Sequence, residues 1–195
     1  NPDQRLLTRR YTEKATDFIR RHREEPFFLY LAHNMPHTPL FASDRFAGTT
    51  SRGLYGDVIA ELDGSVGEVL DTIRDEGLSE QTLVIFLSDN GPWLIFGDHG
   101  GSAEPLQGGK RQTLEGGQRV PCILWWPGAI PKGRVCSEFA TAMDFFPTLA
   151  ELSGGRLPDH PIDGHPITSL MLDEPGAATP YEVFYYYHVD SLQAL

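Results

Sequence analysis

Four polar side chains in three separate loops could together carry acid–base chemistry on an anionic substrate: Asp89, Asn90, His37 and Lys110. Asp89 and Asn90 place a carboxylate oxygen and an amide oxygen side by side, and oxygen ligands of this kind suit Ca²⁺ or Mg²⁺. Histidine is the natural proton donor or acceptor near neutral pH, and lysine supplies a fixed positive charge that attracts an anion.

Each of these residues also has a simpler structural interpretation. An Asp-Asn pair before a Gly-Pro sequence is typical of an Asx turn, and a lysine after two glycines is typical of an exposed loop. His37 lies in a loop that two prolines constrain, where catalysis and simple packing are equally compatible with the sequence. For His33, four residues earlier, packing is the favoured role. Only the combination of the three loops favours a functional site.

The hydrophobic pattern predicts the elements that position these loops. Residues 82–87 form an apolar run that ends just before Asp89, and residues 27–32 form another that leads to the His37 loop; both predict buried strands. Residues 56–76 repeat apolar side chains with the 3.6-residue helical period. This alternation of helix and strand predicts a parallel sheet, whose strand ends converge where ligands bind. Further helices are predicted at 11–23 and 145–152, and further strands at 120–126 and 183–187.

Composition restricts the partners more than it identifies them. The chain has 195 residues, of which 40% are hydrophobic, so it can bury a core of a single domain. Its formal net charge of −11 argues against nucleic acid as the main partner. No apolar stretch approaches a membrane span, and no signal peptide is visible. Cys122 lies in an apolar run and is expected to be buried.

Several common catalytic motifs are missing from the sequence. The chain has no Gly-x-Ser-x-Gly elbow and no His-Glu-x-x-His or paired-cysteine zinc pattern. Lys110 does not belong to a phosphate-binding Walker loop, because Arg111 follows it where serine or threonine is required. No covalent nucleophile is therefore apparent in these residues.

Three segments, in this order and spacing, resemble the arylsulfatase branch of the sulfatase family. They are residues 27–39 (FFLYLAHNMPHTP), 83–92 (LVIFLSDNGP) and 108–121 (GGKRQTLEGGQRVP). Residues 144–149 (DFFPTL) are similar to the downstream region of the same family. The resemblance implies an α/β fold of the alkaline-phosphatase-like superfamily, with a mostly parallel central sheet flanked by helices.

The resemblance also implies a reaction and roles for the site residues. The reaction is hydrolysis of sulfate monoesters, carried by small molecules or glycans, with one bound Ca²⁺. Asp89 and Asn90 are expected to be metal ligands, His37 to protonate the leaving-group oxygen, and Lys110 to hold a sulfate oxygen. The family habit implies a periplasmic, lysosomal or secreted protein.

The family nucleophile is a formylglycine made within a Cys/Ser-x-Pro-x-Arg motif, and neither Cys122 nor Cys136 lies in such a motif. The paired metal-binding aspartates that the family carries near its N-terminus are also absent. Residues 1–195 are therefore expected to be the C-terminal portion of a sulfatase catalytic domain, incomplete at both ends. Such a portion is expected to be inactive alone and to bind Ca²⁺ weakly, since Ca²⁺ takes about six to eight ligands.

Two alternative functions stay open at this point. One is a phosphodiesterase or phosphonate hydrolase of the same superfamily, which would favour transition metals and additional histidine ligands. The other is an inactive relative that binds sulfated glycans. The sequence does not distinguish among sulfated sugars, steroids and aryl sulfates, and it does not indicate an oligomeric state.

Overall fold

The computed structural model of the chain describes residues 2–195. Two long helices pair near the amino-terminal end, a two-stranded sheet carries the loops of interest, and a second small sheet ends the chain. Within the described residues, none of the helices combines the length and the apolar character that a membrane span requires. The elements are α1 (Leu7–Arg21), α2 (Gly53–Asp75), β1 (Val84–Leu87), α3 (Glu115–Gln118), β2 (Cys122–Trp125), α4 (Phe145–Ser153), α5 (Thr168–Met171), β3 (Tyr186–His188) and β4 (Ser191–Ala194).

The α1–α2 pair forms as the helical periodicity predicts. The buried face of α1 carries Ala15 and Ile19, which are only 2% and 1% exposed. Small polar residues also contribute to the α1–α2 interface. The Thr12 hydroxyl lies 2.6 Å from the Ser65 hydroxyl in a buried hydrogen bond. That bond satisfies two polar groups that would otherwise cost free energy inside the interface. The pair therefore provides a rigid base for the loops that follow each helix.

The parallel central sheet predicted from the sequence is not what the described residues form. β1 and β2 pair antiparallel, with Val84 opposite Trp125 and Leu87 opposite Cys122. The connection between them contains only short helical turns, so it reverses the chain instead of providing the crossover helix that parallel neighbours need. β3 and β4 are antiparallel as well.

The prediction that Cys122 is buried is also wrong, since its side chain is exposed.

The strand predicted at residues 27–32 does not form a ladder with any strand of residues 2–195. Burial nevertheless alternates along this segment as it does along a strand that rests on a core. Phe28 and Tyr30 are 73% and 81% exposed, whereas Phe27, Leu29 and Leu31 are half-buried. The hydrophobic pattern identified the alternation correctly but did not identify a hydrogen-bonding partner.

Buried carboxylates fix the loop that joins the His37 segment to α2. Asp57 accepts hydrogen bonds from the backbone N–H of Gly48 at 2.8 Å and of Thr50 at 2.9 Å. Glu61, one turn later, accepts from the Ser43 N–H at 2.8 Å. The N–H donors, that of Gly48 foremost, hold the pKa of Asp57 below its usual value.

The carboxyl-terminal part of the fold is organised around Asp144, which is fully buried. Its carboxylate accepts hydrogen bonds from the Thr141 N–H at 2.6 Å, from the His165 N–H at 2.9 Å, and from the Tyr181 hydroxyl. These contacts tie distant segments to the start of α4. Gly154 ends α4 in the left-handed conformation, which glycine adopts without steric cost.

We predict that Asp57→Asn destabilises the protein at neutral pH and that the difference disappears in acid. Because the folded-state pKa is depressed, Asp57 stabilises the fold above its unfolded pKa of about 4, and this contribution is lost as pH falls through the folded value. Denaturant unfolding at pH 7 and below pH 4 measures both limits. Asp63→Asn, an exposed position on the same helix, is the control; an equal pH response in both variants would contradict the assignment.

Candidate functional site

The loop that carries His37 is anchored from both sides by buried apolar residues. Met35, Leu40 and Ala42 pack with Val58 of α2 in one hydrophobic cluster. The segment between these anchors is held at the surface, so the His37 side chain is exposed at the tip of the loop. The core therefore positions the imidazole without burying it.

A single hydrogen bond determines which nitrogen of His37 is available for chemistry. The Nδ1 atom lies 2.6 Å from the Thr38 carbonyl oxygen. A carbonyl only accepts, so Nδ1 carries the proton of this bond and Nε2 is left for a substrate. In the imidazolium form, Nε2 can donate a proton to a departing oxygen.

His33 has the packing role that the sequence favoured. Its Nε2 lies 3.4 Å from the Ser65 hydroxyl, and its ring meets Tyr11 edge-on with centroids 6.0 Å apart. Burial lowers the pKa of His33, because desolvation disfavours the charged ring. Three buried polar atoms of this loop, His33 Nδ1, Asn34 Oδ1 and Thr38 Oγ1, have no hydrogen-bond partner within residues 2–195.

Asp89 and Asn90 follow β1 directly, and their side chains contact each other. The Asn90 amide nitrogen donates to Asp89 Oδ1 at 2.6 Å, which leaves the amide oxygen and the second carboxylate oxygen free of that bond. Both are hard oxygen donors and fit Ca²⁺ in kind. Two donors are too few for Ca²⁺, which takes about six to eight ligands. Residues 2–195 contain no cluster of three or more His, Cys, Asp or Glu that could hold a metal.

An open pocket of about 650 Å³ places His37 and Asp89 together, with Gln4 and Asn34 also on its wall. The predicted convergence of the His37 and Asp89 loops is therefore observed in the structure. It arises without the parallel sheet from which it was predicted.

Trp93 connects the loop of Lys110 to the loop of His37, and no sequence pattern singles it out. The His37 ring lies 5.3 Å from the Trp93 ring, centroid to centroid. The Lys110 ammonium lies 4.8 Å from the same ring and the Arg111 guanidinium 5.8 Å, both at cation–π distance. Trp93 thus holds a histidine and two cations around one indole.

The loop of Lys110 is locked to the loop of Asp89 by direct contact of glycine backbones. Gly91 N–H donates to the Gly117 carbonyl at 3.1 Å, and Lys110 N–H donates to the Pro92 carbonyl at 2.8 Å. A Cβ atom at Gly91 would lie 1.9 Å from the Gly116 carbonyl oxygen, closer than any side chain permits. Only glycine allows this approach, which sets the place of Lys110 relative to Asp89.

Comparison with known proteins identifies the family. The family model described as Sulfatase matches residues 1–155. The chain belongs to the sulfatase family. The resemblance stated from the three motifs is thereby confirmed.

Individual relatives agree with this membership. N-acetylgalactosamine-6-sulfatase of Canis lupus familiaris is 45% identical over 193 residues, covering 97% of this chain and 36% of that protein. The solved PsFucS1 sulfatase from Pseudoalteromonas sp. superposes with a TM-score of 0.87 at 28% identity, over 98% of this chain and 40% of that one. Ps i-CgsB, solved in complex with k-i-k-neocarrahexaose, gives 0.74 at 35% identity, over 82% and 37%.

The sulfatase chain thus shares the fold of solved sulfatases, which is alkaline-phosphatase-like. It spans about a third of the length of the curated relatives it matches. The parallel central sheet implied by that fold class is not present among residues 2–195, where both sheets are antiparallel.

We predict that Gly116→Ala destabilises the protein by about 1–3 kcal/mol, the usual cost of overpacking. The new methyl group would meet the Gly108 carbonyl oxygen at 2.4 Å and force the Lys110 loop away. Gly67→Ala on α2 is the matched control, because its Cβ meets nothing within 4 Å. Alanine there should stabilise the helix by roughly 0.5–1 kcal/mol. Denaturant unfolding measures both, and a Gly116→Ala protein as stable as wild type would contradict the packing argument.

Proposed function

We propose that the complete protein hydrolyses sulfate monoesters, and that the chain supplies half of the active site. The observation that carries the proposal is the position of His37, which shares one pocket with Asp89 and also contacts the indole that holds Lys110. A proton donor and a carboxylate that could bind a cation thus line one pocket, and a fixed positive charge lies on the indole beside the proton donor. Membership of the sulfatase family supports the same reaction.

The electrostatic requirement of the reaction fits these residues. The sulfuryl oxygens carry negative charge, and stabilising that charge accelerates breaking of the S–O bond. Lys110 would bind one sulfuryl oxygen through its ammonium group. The indole of Trp93 limits where this ammonium can move, which reduces the ordering cost when the anion binds. Arg111 on the same indole adds a second positive charge to that side.

His37 would act as the general acid. Nδ1 is occupied by the Thr38 carbonyl, so Nε2 faces the substrate and donates its proton to the departing oxygen. After the transfer, the same nitrogen has a free lone pair and can accept a proton from water in a later step. The histidine therefore returns to its starting state without moving.

Asp89 and Asn90 would be two ligands of one Ca²⁺, whose bound charge would polarise the sulfate group. The remaining ligands, and the formylglycine that the family uses as nucleophile, would come from outside residues 1–195. We therefore propose that these residues are the C-terminal portion of the catalytic domain and are inactive alone. The family habit further supports a periplasmic, lysosomal or secreted location.

The reaction class is tested by measuring hydrolysis of three esters of one alcohol by the complete protein: the sulfate monoester, the phosphate monoester and the phosphate diester. We predict that sulfate esters are turned over with the higher kcat/KM. The reason is that Asp89 and Asn90 offer hard oxygen donors, which suit Ca²⁺ better than a transition metal. Preference for the phosphate diester would favour the phosphodiesterase alternative. Binding of a sulfated glycan without turnover would favour the inactive relative.

We predict that His37→Ala lowers kcat by about 10²–10⁴ for a sulfated sugar, whose alkoxide leaves only with a proton. With 4-nitrophenyl sulfate the loss should be much smaller, because that weakly basic phenolate departs unprotonated. Steady-state kinetics on both esters gives the two ratios. His160→Ala, at an exposed histidine away from this loop, should change neither. Equal losses on both esters would show that His37 does not donate the proton.

A further inference from the structure

We infer that a second pocket beside His37 binds the leaving group of the ester as a sugar ring, and that Phe96 sets this preference. The inference rests on the proposed function and adds the class of leaving group. The pocket, called here the aromatic pocket, has a volume of about 480 Å³, within the range of small-ligand sites. Its lining residues are His37, Thr38, Pro39, Trp93, Phe96 and His99.

The position of the aromatic pocket follows from the geometry of proton transfer. The oxygen that receives the proton bridges the sulfuryl group and the leaving group. A proton donor must therefore border both the space for the sulfuryl group and the space for the leaving group. His37 borders two pockets, one with Asp89 on its wall and the other with Trp93 and Phe96. Under the proposed function Asp89 would hold Ca²⁺ at the first pocket, whereas no Asp, Glu, Lys or Arg is among the lining residues of the second. We therefore assign the sulfuryl group to the first pocket and the uncharged leaving group to the second.

The chemistry of the aromatic pocket suits a pyranose ring. Phe96 meets Trp93 at a ring-centroid distance of 4.7 Å with the planes at 68°, so the two rings form a corner. Phe96 is 44% exposed although its side chain is large and apolar. An exposed aromatic face binds the C–H face of a sugar, while the exposed His99 can hydrogen-bond to ring hydroxyls. Two relatives point the same way, one named N-acetylgalactosamine-6-sulfatase and one solved with k-i-k-neocarrahexaose.

The segment that carries Phe96 is held in place by backbone hydrogen bonds. Phe96 N–H donates to the Trp93 carbonyl at 3.1 Å, and Trp93 N–H donates to the Gly100 carbonyl at 3.0 Å. Gly97 turns the chain with φ 51° and ψ −127°, and Gly100 N–H closes back onto the Gly97 carbonyl at 2.8 Å. The aromatic corner is thus formed before a ligand arrives, which lowers the cost of binding.

The test compares Phe96→Ala with wild type in the complete protein, using N-acetylgalactosamine 6-sulfate, 4-nitrophenyl sulfate and inorganic sulfate as probes. We expect kcat/KM for the sugar to fall by at least about tenfold, mainly through KM, as for the loss of one good apolar contact. Inhibition by inorganic sulfate should stay within about twofold, because sulfate alone does not reach the aromatic pocket. Ile95→Ala is the matched control, since Ile95 is 79% exposed in the same segment and does not line the pocket.

Equilibrium binding of the sulfated sugar to both variants makes the result independent of turnover. If Phe96→Ala weakens binding of the sulfated sugar about tenfold, the inference is supported. This holds even if the wild-type protein hydrolyses no ester, a result that would contradict only the proposed function. If wild type hydrolyses sulfate esters but Phe96→Ala changes neither kcat/KM nor binding for the sulfated sugar, the inference is wrong and the proposed function is unaffected. A wild-type protein that turns over aryl or steroid sulfates but does not bind the sulfated sugar also overturns it.

Discussion

The candidate site depends on close contact between glycine backbones in two loops. Gly91, just after β1, lies so near Gly116 and Gly117 that any side chain would be excluded. Through this contact the loop of Lys110 is carried back to the end of the strand that presents Asp89. Without it, the strand end and the lysine would belong to separate surfaces. The cost is the conformational entropy of several glycines, which the buried backbone hydrogen bonds offset.

Trp93 connects these two loops to the loop of His37. Its indole contacts the imidazole of His37 and two cations, and it forms the corner with Phe96. One side chain thus relates the imidazole of His37, two cations and the aromatic pocket. Asp89 borders His37 in the other pocket, and Asn90 is hydrogen-bonded to Asp89. Two oxygen donors are fewer than the roughly six to eight that Ca²⁺ takes. The chain spans about a third of the length of the curated relatives it matches.

Much of this could be predicted from the sequence, and the exceptions have physical causes. The helical period located α1, α2 and α4, because each buries one continuous apolar face. Strand existence was partly predictable at β1 and β2, but strand direction was not. Apolar runs look alike in parallel and antiparallel sheets, and only the path of the connection decides between them. Residues 27–32 carry the strand pattern without a ladder partner, which depends on distant residues.

The side chains of the candidate site also divide into those that the sequence pattern singles out and those that it does not. His37, Asp89 and Lys110 could be singled out as candidates because each occurs in a loop that follows or interrupts a recognisable sequence pattern. Trp93 and Phe96 were missed because an aromatic residue in a long loop has no periodicity that separates a binding role from packing. Their positions beside His37 and the cations become apparent only from the distances in the folded chain. His33 was assigned correctly to packing, and its contact with Ser65 explains how the helices hold the loop.

The proposed site requires that Asp89, Asn90, His37 and Lys110 surround one sulfate group. A crystal structure of the complete protein with Ca²⁺ and inorganic sulfate bound would show whether they do. We predict Ca²⁺ within about 2.3–2.6 Å of oxygens from both Asp89 and Asn90. We also predict a sulfate oxygen within hydrogen-bond distance of Lys110 Nζ, with His37 Nε2 facing the same ion. A metal bound elsewhere, or a sulfate that contacts neither His37 nor Lys110, would contradict it.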